Sequence, residues 1–199
     1  MYLPHQFQMR DVDGFLAAHP SALLVTSLPD SSPVATLMPF VRDGDRLLMH
    51  MARANPHWQQ IPSGAPALAV VLGAQAYVSP SAYASKAEHG RVVPTWNYSA
   101  VHLTGRATVH DDPAWVSALV TRLTELHEGG RPAPWSVSDA PERYVAGQLK
   151  AIVGVELAVE TVAAKAKLSQ NRDEADRAGV LAMLEVEAPD VAEAMRQQS

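Results

Sequence analysis

The chain has 199 residues, 47% of them apolar and 19% charged, which suits one ordinary domain, alone or with a small appendage, and excludes a disordered chain. Its 16 basic and 21 acidic residues leave a net charge of -5, which disfavours a broad electrostatic grip on nucleic acid or anionic lipid. It has no cysteine, so a disulfide framework, thiolate metal sites and a cysteine nucleophile are excluded.

Ser21 to Leu28 and Pro33 to Val41 are short apolar runs joined by Pro29-Asp30-Ser31-Ser32, which is strong turn chemistry. Asp43-Gly44 then marks a tight hairpin into a third strand, Arg46 to Met51. Two further strands are expected at Ala67 to Leu72 and Ala74 to Ser79, around Gly73. A long polar segment from Pro80 to Pro94 interrupts the pattern. Asn97 to His110 alternates again, with Gly105 as a bulge or point of close approach. Ile152 to Val162 returns to strand character. Six or so short strands predict a mainly β fold, a small antiparallel barrel with peripheral helices.

Helices are expected at Asp11 to His19 and Asn55 to Ile61. Another is expected at Asp112 to His127, with Asp112 as N-cap, Pro113 at the first position and Gly129-Gly130 as the stop. Ser138 to Glu142 starts a further helix that runs to about Lys150. The tail from Arg172 is helical in composition, in two pieces broken at Pro189. It carries 3 basic and 7 acidic residues, the opposite of a DNA-reading helix, and so is expected to pack on the barrel or on a partner subunit. The expected division is one domain over 1–180 and a helical tail over 181–199. No apolar run approaches the roughly 20 residues of a bilayer span, and Met1 to Arg10 lacks the marks of a signal peptide, so a soluble cytoplasmic protein is the expectation.

Three polar segments are too particular to be ordinary connections. His50 to Trp58 (HMARANPHW) follows a strand. Its Arg53 and the amides of the next helix suit a phosphate, or else Arg53 pairs with a carboxylate and Asn55 caps the helix. Gly90 to Tyr98 places Trp96 and Tyr98 on one face if extended, which suits a flat aromatic ligand or a subunit interface. Lys165 to Arg172 (KAKLSQNR), read as a segment between strand and tail, supplies donors from Lys167, Ser169, Gln170 and Asn171 without opposing charge. Eight histidines show no HExxH spacing and no accompanying carboxylate cluster, so no metal site is expected; His5, His19, His110 and His127 read as surface positions. The absence of GxSxG argues against a hydrolase built on Ser79, Ser81 or Ser85.

Taken together, MYLPHQF, HMARANPHW, YVSPSAYASKAEHGRVVPTWNY, AIVGVEL and KLSQNRDEADRAGV resemble the PaiB family, over Met1 to about Val180. His57 stands where a glutamine is expected in relatives. The resemblance implies a six-stranded split barrel related to the pyridoxamine phosphate oxidase-like flavoproteins. It also implies a homodimer, FMN in the grooves between subunits, and a role as a negative transcriptional regulator. By position it assigns the FMN phosphate to Arg53, helped by His50, Ala52 and Asn55. Thr95, Trp96 and Asn97 would border the isoalloxazine ring, and Lys167, Ser169 and Gln170 would close the groove. With no basic helix and no helix-turn-helix, regulation is expected to act through a protein partner or a small molecule rather than by direct DNA binding. The alternatives are a flavin-dependent oxidoreductase or flavin reductase, and a haem protein with His89 or His102 as axial ligand. Fold does not by itself decide between them.

Overall fold

A computed structural model describes residues 1–27 and 30–198. Leu28 and Pro29, where the sequence ends its first strand and begins its first turn, lie outside the described residues. The strands are β1 (Ser21–Ser27), β2 (Pro33–Asp43), β3 (Arg46–Ala52), β4 (Ala65–Val78), β5 (Thr95–His110) and β6 (Ile152–Lys167). They close as a barrel in the order β1-β2-β3-β6-β5-β4. The helices are α1 (Val12–Ala18), α2 (Ser85–His89), α3 (Pro113–Glu128), α4 (Glu142–Lys150), α5 (Glu174–Glu187) and α6 (Pro189–Gln197).

Alternation sets the register. Ala22 and Leu24 of β1 point inward and are fully buried, and β1 runs antiparallel to β2, with Ser21 opposite Pro39, and to β4, with Leu23 opposite Val70. Asp43 pairs with Arg46 across a two-residue turn in which Gly44 has φ 62°, the left-handed conformation a glycine adopts without steric cost. β3 pairs antiparallel with β6, placing His50 opposite Gly154. Each fully buried Leu or Val contributes about 1.5–3 kcal/mol to the core.

The chain forms two compact units, each assembled from separated stretches. One comprises Pro20–Val71 and Leu103–Val162. Here α3 lays Leu119 and Leu123 on Leu48 of β3, with Val41 and Trp115 beside them. Asp112 caps α3 by accepting from the amides of Ala114 and Trp115, and Pro113 takes the first position, where its missing N–H costs nothing. Gly105 meets β6 so closely that a Cβ there would sit 1.9 Å from the Ala158 carbonyl oxygen. Of the two roles the sequence allowed it, close approach is the one observed.

The other unit comprises Met1–His19, Leu72–His102 and Ala163–Ser199. Asp11 caps α1 through the Gly14 amide at 2.8 Å. Asp176 of α5 is buried and accepts from both the amide and the hydroxyl of Ser85, at 2.9 and 2.8 Å. Those bonds, with the charges of Arg172 and His89, hold its carboxyl below the usual range. Pro189 starts α6, so the tail is two helices as expected.

Several boundaries differ from the sequence expectation. β4 is one strand and not two: Gly73 does not break it but makes room for Phe15 of α1, whose ring a Cβ would meet at 2.7 Å. β6 runs on through Lys167, so Lys165 to Lys167 are strand residues and not part of a polar loop. Pro56–Gln60 is a 3-10 helix, and the polar stretch after Val78 holds a 3-10 turn at Pro80–Ala82 followed by α2. Position 181 falls inside α5. No helix among the described residues is long and apolar enough to cross a membrane.

Candidate functional site

The first polar segment lies in the Pro20–Val71 and Leu103–Val162 unit, where β3 turns into the 3-10 helix. Arg53 closes that turn. Its Nη1 donates to Asp111 Oδ2 at 3.0 Å, its Nη2 contacts Asp111 Oδ1, and its Nε donates to the Lys150 carbonyl at 2.8 Å. The Asp111 hydrogen bond raises the guanidinium pKa and lowers that of the carboxyl. Trp58 donates its indole N–H to the Arg53 carbonyl at 2.9 Å, and the guanidinium carbon stands 5.7 Å from the Trp58 ring centre. Of the two roles open to Arg53, its side chain in this structure has the carboxylate partner.

Asn55 caps the 3-10 helix through the His57 amide at 3.0 Å and donates Nδ2 to Thr36 Oγ1 at 3.2 Å. His57 is 1% exposed, its Nε2 2.8 Å from Thr26 Oγ1 and its Nδ1 2.7 Å from Thr36 Oγ1. One ring nitrogen donates and the other accepts, so the neutral imidazole satisfies both hydroxyls. Burial lowers its pKa and keeps it neutral. His57 thus ties the turn to β1 and β2, a role two threonines far away in sequence could not reveal in advance. Ala52 ends β3 opposite Ile152. His50 is desolvated, with its pKa lowered, and its buried Nδ1 has no partner among the described residues. His110 is only partly exposed: it stacks on Trp115 at 4.2 Å and lies 3.2 Å from Glu156.

The other two segments meet in the second unit. Lys167 Nζ donates to Thr95 Oγ1 at 2.8 Å and to the Trp96 carbonyl at 2.5 Å. Desolvation first, then the charges of Lys165 and Arg172, lower its pKa. Lys165 is 7% exposed and its Nζ lies 5.4–5.9 Å from the ring centres of Tyr98, Tyr2 and Phe7. Two lysines two apart on β6 therefore share one face, and aromatic rings, not carboxylates, surround the buried one. Beside them Trp96 is 53% exposed and Tyr77 47%, packed edge to face with ring centres 6.2 Å apart.

Behind that face the remaining residues hold the backbone. Ser169 has φ 66°, a left-handed conformation unusual for serine, and buried Asn97 steadies it with Nδ2–Oγ and Oγ–Oδ1 bonds of 3.0 and 3.2 Å. Gln170 clamps the same turn, accepting from the Leu168 amide at 2.7 Å and donating to the Ala166 carbonyl at 2.6 Å. Thr95, Trp96, Asn97, Lys167, Ser169 and Gln170 thus assemble locally, while His50, Ala52, Arg53 and Asn55 assemble in the other unit. Lys165 and Tyr77, which open two of the sequence segments but carry no assigned role there, join the face. Tyr77 stands in the motif-rich stretch ending at Tyr98, and i, i+2 spacing on β6 was the available signal for Lys165. Among the described residues no group of three or more His, Asp or Glu could hold a metal ion.

An exposed indole and phenol next to a partly desolvated ammonium fit a planar, anionic group. The family model described as "Putative FMN-binding domain" matches residues 1–161. The chain is 31% identical over 194 residues to the protease synthase and sporulation protein PAI 2 of Bacillus subtilis, covering 94% of this chain and 90% of that protein. It is 42% identical over 120 residues to an uncharacterized protein of Aspergillus fumigatus, covering 53% of this chain and 46% of that one. In fold it is similar to the conserved hypothetical protein Rv2991 from Mycobacterium tuberculosis (TM-score 0.61, 11% identity, 87% of this chain and 95% of that one). It is also similar to a FAD and heme binding protein from Mycobacterium smegmatis (TM-score 0.55, 22% identity, 78% and 69%). The split barrel, the family match along the chain and the PAI 2 likeness agree: this chain belongs to the PaiB family of FMN-binding-domain proteins.

Proposed function

We propose that the protein is a homodimeric FMN-binding protein of the cytoplasm that represses transcription indirectly, through a protein partner or a small molecule. The observation that carries the cofactor reading is Lys167: a partly buried ammonium facing other cations, with exposed Trp96 and Tyr77 alongside. An anion relieves the repulsion among Lys167, Lys165 and Arg172, and an isoalloxazine ring covers the indole. Arg53 is the other phosphate candidate, but a phosphate there competes with Asp111. When bound, the flavin supplies hydride and electron transfer; Lys167 and Trp96 bind it, and the Asn97–Ser169 pair fixes the turn behind them. Exposed Leu72, Val93 and Trp96 in the same unit suit a second copy of the chain. The acidic tail helices are unsuited to phosphate backbones, which supports the indirect route.

A flavin-dependent oxidoreductase or a haem protein is the second reading, favoured by His102. Burial and the amino-terminal charge lower its pKa, so it is a neutral imidazole able to accept a proton or ligate iron. His89 is less suited, because its Nδ1 already accepts from the Arg91 amide at 3.0 Å. The test is a visible spectrum of the purified protein after addition of FMN and then of haemin, each followed by gel filtration. Flavin bands retained at dimer size support the first reading, together with a gel shift showing no sequence-specific DNA binding. A Soret band favours haem, and tight operator binding overturns the indirect route.

A further inference from the structure

A cavity of about 760 Å³ opens in the unit of Met1–His19, Leu72–His102 and Ala163–Ser199, between α1, α6 and the strands. Leu168 and Ser99 form its buried floor, the stacked rings of Phe15 and His19 its wall, and Asp190 and Glu193 its mouth. It is separate from the Trp96–Lys167 face. Side chains alternate along a strand, so Trp96 and Tyr98 take one side of β5, and Asn97 and Ser99 the other.

Two independent features point to a ligand. Ser99 is 6% exposed, lines the cavity and makes no side-chain hydrogen bond among the described residues. Facing the cavity, that hydroxyl is free to take a hydrogen bond from a ligand atom there. The lining is also acidic: Asp11, Asp190 and Glu193 stand against Arg10 and His19. Asp11 is committed to the α1 cap, and Glu193 is shared between Arg196 at 3.1 Å and Gln197 at 3.2 Å. Asp190 has no ion pair or side-chain hydrogen bond among the described residues.

We propose that this cavity binds a small aromatic amine, with its ammonium at Asp190, its ring against Phe15 and His19, and a polar atom on Ser99. The stacked ring pair at 4.3 Å offers a flat wall that an aliphatic cation would not use, and the mouth repels carboxylates. The proposal is independent of the flavin site proposed above, which uses the other side of β5.

The test is calorimetric titration of the flavin-free protein with tyramine, with N-acetyltyramine, which lacks the charge, and with 3-(4-hydroxyphenyl)propionate, which reverses it. Tyramine binds, and both analogues bind at least about tenfold more weakly. Asp190→Asn, an exposed and isosteric change, loses about tenfold in tyramine affinity, and Ser99→Ala loses roughly threefold. Ala194→Trp, which fills the cavity from α6, abolishes binding if its melting curve shows it folded. Equal affinity for the carboxylate, no binding of tyramine, or affinity unchanged in both Asp190→Asn and Ser99→Ala overturns the proposal. A parallel FMN titration of the same proteins reads the flavin site separately.

Discussion

Lys167 Nζ donates to Thr95 Oγ1 at 2.8 Å, joining the end of β6 to the start of β5, and the charges that act on the ammonium are those of Lys165 and Arg172. In the folded chain its pKa lies below the unfolded value. Between the two the folded state holds fewer protons, so stability rises with pH through that alkaline interval, up to the unfolded lysine value near ~10.4. Urea melts of the wild type and Lys167→Met over that range should differ in slope, with the rise missing in the variant. Parallel slopes would contradict the depressed pKa.

His57 bridges Thr26 and Thr36 as a neutral ring. Its folded pKa is lowered by burial, and those of His50 and His102 are lowered as well. Stability is therefore full above the unfolded histidine value of about 6.5 and falls as acid is added below it, toward the folded values. His57→Ala removes both hydrogen bonds, leaves Thr26 buried and opens a cavity, for a loss of about 2 kcal/mol or more. His57→Gln can still bond the two hydroxyls and is expected to recover part of that loss. Chemical denaturation at neutral and mildly acid pH measures both effects.

Gly105 is held against the Ala158 carbonyl, where a Cβ would stand at 1.9 Å. Backbone cannot move aside as a flexible side chain can, so Gly105→Ala should destabilise by about 2 kcal/mol or more. Gly44→Ala, at a turn with nothing within 4 Å of its added Cβ, meets only the backbone penalty of its positive φ, about 1 kcal/mol. Thermal melts of the two variants give the comparison, and a smaller loss at Gly105 would refute the close approach.

Trp96 is half exposed, so Trp96→Ala should change the stability of the cofactor-free chain by no more than about 0.5 kcal/mol. The same change removes the surface proposed for the ring and should weaken FMN binding by about tenfold. A large drop in melting temperature would make Trp96 a structural residue.

The local signals in the sequence located most elements. Asp112 caps α3 where its spacing predicts, Asp43-Gly44 makes the hairpin, and Pro189 divides the tail. What failed to show were partners far along the chain. Gly73 reads as a break, yet Phe15 explains it; the Lys165–Lys167 end of β6 reads as polar loop, yet Tyr2, Phe7 and Tyr98 cover it. Arg53 shows the same limit at the site. Its residue type suits phosphate and carboxylate equally, and only the fold brings Asp111 to it.

The most direct test of the cofactor assignment is a fluorescence titration of FMN with the wild type, Lys167→Met and Arg53→Met. The account predicts binding by the wild type, a loss of about ten- to a hundredfold in Lys167→Met, and a change within about threefold in Arg53→Met. No binding by the wild type, or a loss confined to Arg53→Met, would contradict it.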